Sequence, residues 1–289
     1  MEKLKGSKIV VIGGGTGSFV ALSGLKNYTA DLTALVSMAD DGGSTGTLRD
    51  ELGVLPPGDV RQCLVALSRS PRARDLFNYR FDEGSLAGHS FGNLFLAALE
   101  KLTGSFVEAI DLADEVLNVE GKVVPVTLDS VTVCIDDGKR ILRHERDIDG
   151  FKFHKPHPKL WLEPKPKVNP EAVEAILAAD IVVICPGDVY KSLGPALAVP
   201  GIGQALRKTA ARKIYISNLV NKPGQTEGFK VHDLAAEIER LAGGKFLDYV
   251  IYNVHPPSKK LLENYAAEGE LPVEIDAAAL KDAHYKPKG

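Results

Sequence analysis

The chain is poor in the residue patterns that define several classes of protein. Only three cysteines occur in 289 residues, Cys63, Cys134 and Cys185, far apart and with no C-x-x-C spacing. This argues against a disulfide framework or a thiolate zinc site and points to buried thiols in a reducing compartment. The histidines His144, His154, His157, His232 and His284 show no ligand spacing either, so no metal cluster is expected. The net charge is −3, so there is no global basic field to attract nucleic acid. No apolar run reaches membrane-spanning length. The first, Ile9–Ile12, stops at glycines and is too short for a signal-peptide core. Internal repeats, low-complexity tracts and Gly/Ser linkers are missing. The expectation is a single large α/β domain over 1–289, cytoplasmic, with no nucleic-acid or membrane partner.

Against these absences the hydrophobic content is 44% and the charged content 25%, as in ordinary globular proteins. Short β-branched runs bounded by glycine, at Lys8–Ile12 and Ile181–Cys185, read as central parallel strands buried on both faces. Asp31–Ser37 reads as a second strand, and Lys213–Ser217 and Tyr249–Val254 as later ones; His255-Pro256-Pro257 ends the latter. Between them, helical spacing marks Asp59–Ser68, the Phe91–Leu102 stripe, Phe106–Leu117 and Val231–Leu241. The rhythm predicts a Rossmann-like doubly wound, mostly parallel sheet. It is interrupted at about 118–170 by a β-hairpin and irregular insertion, with strands at Val123–Thr127, Val131–Ile135 and Arg140–Arg143. Asp137-Gly138 is its turn, and Phe151–Pro170 an irregular excursion. Val273–Ile275 is expected as a last short strand.

The densest stretch is Val36–Ser68. It leaves the second strand with Asp40 and Asp41, then Gly42, Gly43, Ser44 and Thr45, and reaches Asp59 and Arg61 after a Pro56-Pro57-Gly58 turn. So many small and polar residues in one loop suit a ligand that backbone must approach closely. Asp40 and Asp41 could hold Mg²⁺ beside a diphosphate, accept a proton or bind a sugar hydroxyl. In an extended segment the two point opposite ways. Asp59 reads as a helix N-cap. Arg61, in the first turn, serves either an anion or an ion pair with Asp59 or Asp50.

Gly13, Gly14, Gly15, Thr16 and Gly17 form a turn between the first strand and a helix, suited to phosphate. It is not a full dinucleotide fingerprint, because Ser18 stands where the last glycine belongs, and no G-K-[ST] follows for a P-loop. Gly88-His89-Ser90-Phe91-Gly92 matches the nucleophile elbow by letter, but no buried strand precedes it. His89 and Asn93 at that helix start could bind an anion or a sugar hydroxyl. After the Ile181–Cys185 strand, Gly187, Tyr190 and Ser192 lie in a loop that would meet a ligand, with Tyr190 free to stack on a base or to pack. Asn218 ends the next strand.

The sequence resembles the bacterial gluconeogenesis factor family, within the wider 2-phospho-L-lactate transferase superfamily. The likeness rests on IGGGTG at Ile12–Gly17, ADDGGSTGTLRDELGVLPPGDVR at Ala39–Arg61, GHSFGNL at Gly88–Leu94, CPGDVYKSLGP at Cys185–Pro195 and SNLVNKPGQTEGF at Ser217–Phe229. It implies a Rossmann-like fold and a nucleotide-linked ligand. In the gluconeogenesis factor branch this is a UDP-sugar such as UDP-N-acetylglucosamine, in proteins required for cell shape on gluconeogenic carbon sources. In the transferase branch a phospholactyl group moves from a guanosine diphosphate carrier, with Mg²⁺ as cofactor. Whether the ligand is turned over is left open by the resemblance. The 152–167 stretch carries no motif of the family. A homodimer is the oligomer to expect of Rossmann-like edges and helices, although no patch in the sequence marks it.

Overall fold

A computed structural model describes residues 6–255 and 257–289. Residues 1–5, which open the stretch weighed as a signal peptide, and Pro256 of the His255-Pro256-Pro257 turn lie outside the described residues.

Two identical tetrapeptides build the centre. β1 (Ile9–Ile12) and β7 (Ile181–Ile184) both read IVVI and pair in parallel, Ile9 with Ile181 through Ile12 with Ile184. Alternate side chains leave a strand on opposite faces. Val10, Ile12, Val182 and Ile184 accordingly enter one core and Ile9, Val11 and Val183 the other. Around this pair a seven-stranded parallel sheet runs in the order β10-β9-β8-β7-β1-β2-β3. Its other members are β2 (Leu32–Val36), β3 (Lys122–Pro125), β8 (Arg212–Ile216), β9 (Tyr249–Ile251) and β10 (Lys286–Lys288). Renumbered along the chain this is the 3-2-1-4-5-6 order of a doubly wound sheet with a seventh strand added, so the predicted fold class holds. The order reverses between β1 and β7. The crevice at the carboxyl ends of these two strands is where such a sheet receives ligands.

One face carries α1 (Gly15–Leu25), α2 (Gly43–Leu52), α3 (Gly58–Leu67), α4 (Pro71–Asn78), α5 (Phe91–Thr103) and α6 (Phe106–Leu117). The other carries α7 (Glu145–Ile148), α8 (Pro170–Ala178), α9 (Gly194–Ala198), α10 (Ile202–Lys208) and α11 (Val231–Leu241), with α12 (Lys259–Ala267) and α13 (Ala277–Lys281) near the end of the chain. An antiparallel sheet, β5-β4-β6, packs on this second face, made of β4 (Thr132–Asp136), β5 (Ile141–Arg143) and β6 (Lys159–Glu163). Its Val133, Ile135, Leu142 and Leu162 join the same core as Val10 and Val182. The β4–β5 turn is the expected one: Gly138 takes φ +89° and the Asp137 carboxylate accepts the Lys139 and Arg140 amides.

Four local expectations are corrected. Residues 43–52 are helical, although a glycine-rich segment has poor helix propensity. Tertiary contact holds this helix: Gly46 lies so close to the Asp41 carbonyl that a Cβ there would overlap it. The strand near 123 pairs in parallel with β2 and belongs to the main sheet. The excursion after Phe151 contains β6, whose KLWLE pattern is masked by flanking prolines. Residues 273–275 form no strand; Pro272 and Glu274 make only single bridges, and the last strand is β10.

Candidate functional site

The glycine turn after β1 is shaped from below by other backbone. A Cβ on Gly17 would overlap the Pro186 carbonyl oxygen, and one on Gly14 would overlap the Asp59 carboxylate. α1 therefore sits against the loop after β7 at the point where the strand order reverses. Gly13 and Gly14 are buried and Thr16 is exposed. Asp59 is not the N-cap of α3, which is Pro57. Its Oδ1 accepts the Gly15 N–H at 2.8 Å and ties the first turn of α3 to the first turn of α1.

Four helix N-termini meet here, those of α1, α2, α3 and α5. A relay of side chains joins the last three. Arg61 Nε donates to Asn93 Oδ1 at 3.0 Å, and Asn93 Nδ2 donates to Ser44 Oγ at 3.2 Å. The Ser44 hydroxyl is also hydrogen-bonded to His89 Nδ1 at 2.9 Å. Arg61 also donates to Asn78 Oδ1 at 2.6 Å. Arg61 is 7% exposed, and among the described residues no carboxylate lies within ion-pair distance of it. Neither ion pair considered from the sequence forms. Burial, and then the charge of Arg80, hold Arg61 below the usual guanidinium range. Ser90 is fully buried and caps α5 by accepting the Asn93 amide, so it is no exposed nucleophile.

Across the crevice lie the acids. Asp40 Oδ1 accepts the Gly42 amide at 2.9 Å, and its other oxygen lies against Gly58. Burial, and then the nearby Asp40 charge, push Asp59 up to about 7. Glu145 from α7 also reaches Asp40, and burial together with Asp40 raises its carboxyl well above the usual range. Lys191 Nζ approaches Glu145 at 3.5 Å, Asp149 at 2.9 Å and Asp188 at 3.9 Å. Asp41 does not share Asp40's partner atoms, as expected of adjacent extended residues, and turns to the inserted segment and α2. It is engaged by His144, the Glu145 amide and Arg49.

On the β7 side, Gly187 and Asn218 exchange two hydrogen bonds, Gly187 N–H to Asn218 Oδ1 at 3.2 Å and Asn218 Nδ2 to the Gly187 carbonyl at 2.8 Å. Ser192 is half-buried, its amide bonded to the Asp188 carbonyl. Tyr190 does not face the crevice. It is fully buried and its hydroxyl donates to Glu237 at 2.8 Å, so of the two roles left open it packs. A groove of about 250 Å³ beyond Asn218 is lined by Leu219, Tyr252, Asn253, Val254 and Leu262.

The sequence pattern described as 2-phospho-L-lactate transferase CofD matches residues 9–287. The chain belongs to that family. Among CofD relatives, the gluconeogenesis factor of Bacillus subtilis is 40% identical over 280 residues, 95% of this chain and 87% of that protein. The gluconeogenesis factor of Halalkalibacterium halodurans is 42% identical over 283 residues, 96% of this chain and 87% of that one. A Clostridium acetobutylicum relative named for the same factor is 44% identical over 279 residues, but this chain spans only 62% of its length. A crystal structure of a Bacillus halodurans protein superposes with a TM-score of 0.91 at 41% identity, over 98% of this chain and 91% of that one. The resemblance to the gluconeogenesis factor family is thus borne out, as is the CofD superfamily.

Within this CofD fold the structure brings Gly13–Gly17, Asp40, Ser44, Asp59, Arg61, His89, Asn93, Gly187 and Asn218 to one crevice. Sequence reasoning missed Asn78, His144 and Glu145. Each is a single polar residue in ordinary spacing, far along the chain from the motif it meets. Lys191 lies inside a motif that was recognised, but nothing in its spacing distinguished it. No helix among the described residues is long and apolar enough to cross a membrane.

Proposed function

We propose that this chain binds a UDP-sugar, such as UDP-N-acetylglucosamine, at the carboxyl ends of β1, β2 and β7. On this reading it is a regulatory factor for cell shape on gluconeogenic carbon sources. The observation that carries the reading is Arg61. A buried guanidinium held directly only by two amide oxygens, with the Asp59 carboxylate acting on it from a distance and none in contact, is set for an anion supplied from outside. The N-termini of four helices around it favour the same charge. The diphosphate would lie over the Gly13–Gly17 turn and Arg61. The sugar would lie towards Asp40, Ser44, His89 and Asn93, and the base towards Gly187, Asn218 and the apolar groove beyond. Relatives named gluconeogenesis factor support the branch, and a UDP-sugar is the ligand that the resemblance to that branch implies. The same reading puts the protein in the cytoplasm.

A second reading rests on the carboxyls. Asp40 lies close enough to Asp59 to raise it, and the family's description names a transferase. Among the described residues no group of three His, Cys, Asp or Glu side chains is arranged to hold a metal. Mg²⁺, however, often takes only two carboxylates and completes its shell with phosphate oxygens and water. Asp40 and Asp59 would hold it, and it would neutralise charge on a guanosine diphosphate carrier.

A thermal-shift screen separates the two. UDP-N-acetylglucosamine, UDP-glucose, GDP, NAD and NADP are each added with Mg²⁺ or with chelator. A ligand at 100 times its Kd stabilises by about 2.7 kcal/mol. The expected outcome is a shift with the UDP-sugars that chelation leaves intact. A shift with GDP that needs Mg²⁺ would replace this reading with the transferase.

A further inference from the structure

Asp41 has no oxygen to offer a ligand. Its side chain is 3% exposed, and the inserted segment takes both oxygens: His144 Nδ1–H donates to Oδ2 at 2.7 Å and the Glu145 amide to Oδ1 at 2.8 Å. Arg49 adds its charge at 3.6 Å. Three features of His144 then stand together. Its backbone has φ 72° and ψ 145°, a region nearly reserved for glycine, yet the residue is not glycine. Its imidazole is oriented by a buried carboxylate, which places a hydrogen on Nδ1, so that in the neutral ring the lone pair is on Nε2. Nε2 has no hydrogen-bond partner among the described residues, and a third of the side chain is open. The next residue, Glu145, reaches Asp40 in the crevice. An exposed surface histidine has no need of a disfavoured backbone and a buried carboxylate. An imidazole that must accept from an external donor at a set position needs both.

We propose that His144 contacts the ligand, with Nε2 accepting a hydrogen bond from a hydroxyl of the sugar portion, and that Asp41 is a positioning residue acting through it. The inserted sheet thereby supplies a sugar-reading group to a crevice whose diphosphate side comes from the main sheet. This rests on the UDP-sugar reading above.

The test compares UDP-N-acetylglucosamine with UDP by calorimetric titration on the whole chain. Two variants keep the packing. H144N places there the non-glycine residue most tolerant of positive φ, and its amide can still donate to Asp41. D41N keeps an oxygen for the Glu145 amide but turns an N–H towards His144 Nδ1, which moves the ring hydrogen to Nε2. Wild type is expected to prefer UDP-N-acetylglucosamine. Both variants are expected to weaken it about 3- to 10-fold, the scale of one hydrogen bond, with UDP affinity unchanged. Imidazole ¹⁵N spectra of the free wild-type protein should show the lone pair on Nε2 of His144.

If UDP and UDP-N-acetylglucosamine fall together or neither falls, the inference is overturned while the UDP-sugar reading stands. The same holds if wild type shows no preference between them, or if the hydrogen sits on Nε2. No binding of UDP-N-acetylglucosamine by wild type overturns the reading itself, and this inference with it.

Discussion

Asp59 joins the stability of the ligand-free protein to its site. Its carboxyl is raised from 3.8 to about 7 by burial and by Asp40. The folded state therefore keeps a proton that the unfolded chain has already lost between about pH 4 and pH 7. Stability falls as pH rises through that window, and the whole penalty is present above pH 7. Asp59→Asn removes it and keeps an oxygen for the Gly15 amide. At pH 8 the variant should be more stable than wild type by about 1–3 kcal/mol, less than a fully buried group would give because Asp59 is partly open. The gap in Tm between variant and wild type should widen from pH 4 to pH 7 and then level off. A gap independent of pH would show that Asp59 carries no such strain. UDP-sugar binding should weaken in the same variant, the usual exchange of stability against function.

Among the elements, the seating of α1 against the loop after β7 decides the shape of the phosphate turn. Two glycines separate conformation from contact. Gly15 has φ +61° and open space where a Cβ would go, so Gly15→Ala costs only the left-handed backbone, about 1 kcal/mol. At Gly17 a Cβ would overlap the Pro186 carbonyl, part of a backbone that cannot move without disturbing the β1–β7 reversal. Gly17→Ala should cost about 2 kcal/mol or more. In urea its midpoint should lie below that of Gly15→Ala at an equal m-value. Equal midpoints would mean that α1 has room to slide. Neither effect could be assigned from GGGTG itself, where the glycines look alike; Pro186, far along the chain, makes the difference.

The described residues form two large cores, one on each face of the parallel sheet, and a small third cluster of Leu48, Val54 and Ala97; the inserted sheet belongs to one of the large ones. Val133, Ile135, Leu142 and Leu162 share it with Val10, Val182 and Leu234. The insertion should therefore not unfold alone. The chain's one tryptophan, Trp161, is in β6 and reports on the insertion, whereas far-UV circular dichroism reports mainly on the helices. The two urea transitions should coincide. An earlier Trp161 transition would make the insertion a separate folding unit.

The doubly wound sheet was legible because its signals are local. A strand buried on both faces must be a short apolar run, as IVVI is twice, and the turn after it must be glycine-rich to clear the neighbouring backbone. Most of the crevice was legible for the same reason: Asp40, Ser44, Asp59 and Arg61 lie within one stretch of chain. Side-chain direction was not legible. Tyr190 follows a strand in a recognised motif, yet its hydroxyl finds Glu237 and it turns inward. Asp59 looked like a cap and instead grips another helix. α2 was hidden because its glycines argue against a helix, and β6 because prolines flank it. Composition, strand pattern and motifs are properties of short stretches, so the chain states them directly, and fold class and family follow. The partners that hydrogen-bond the side chains of Arg61, Asp41 and Asp59 lie 17 to 104 positions away. Only the packed sheet brings those groups to one place, so charge balance and the direction of each side chain were decided there.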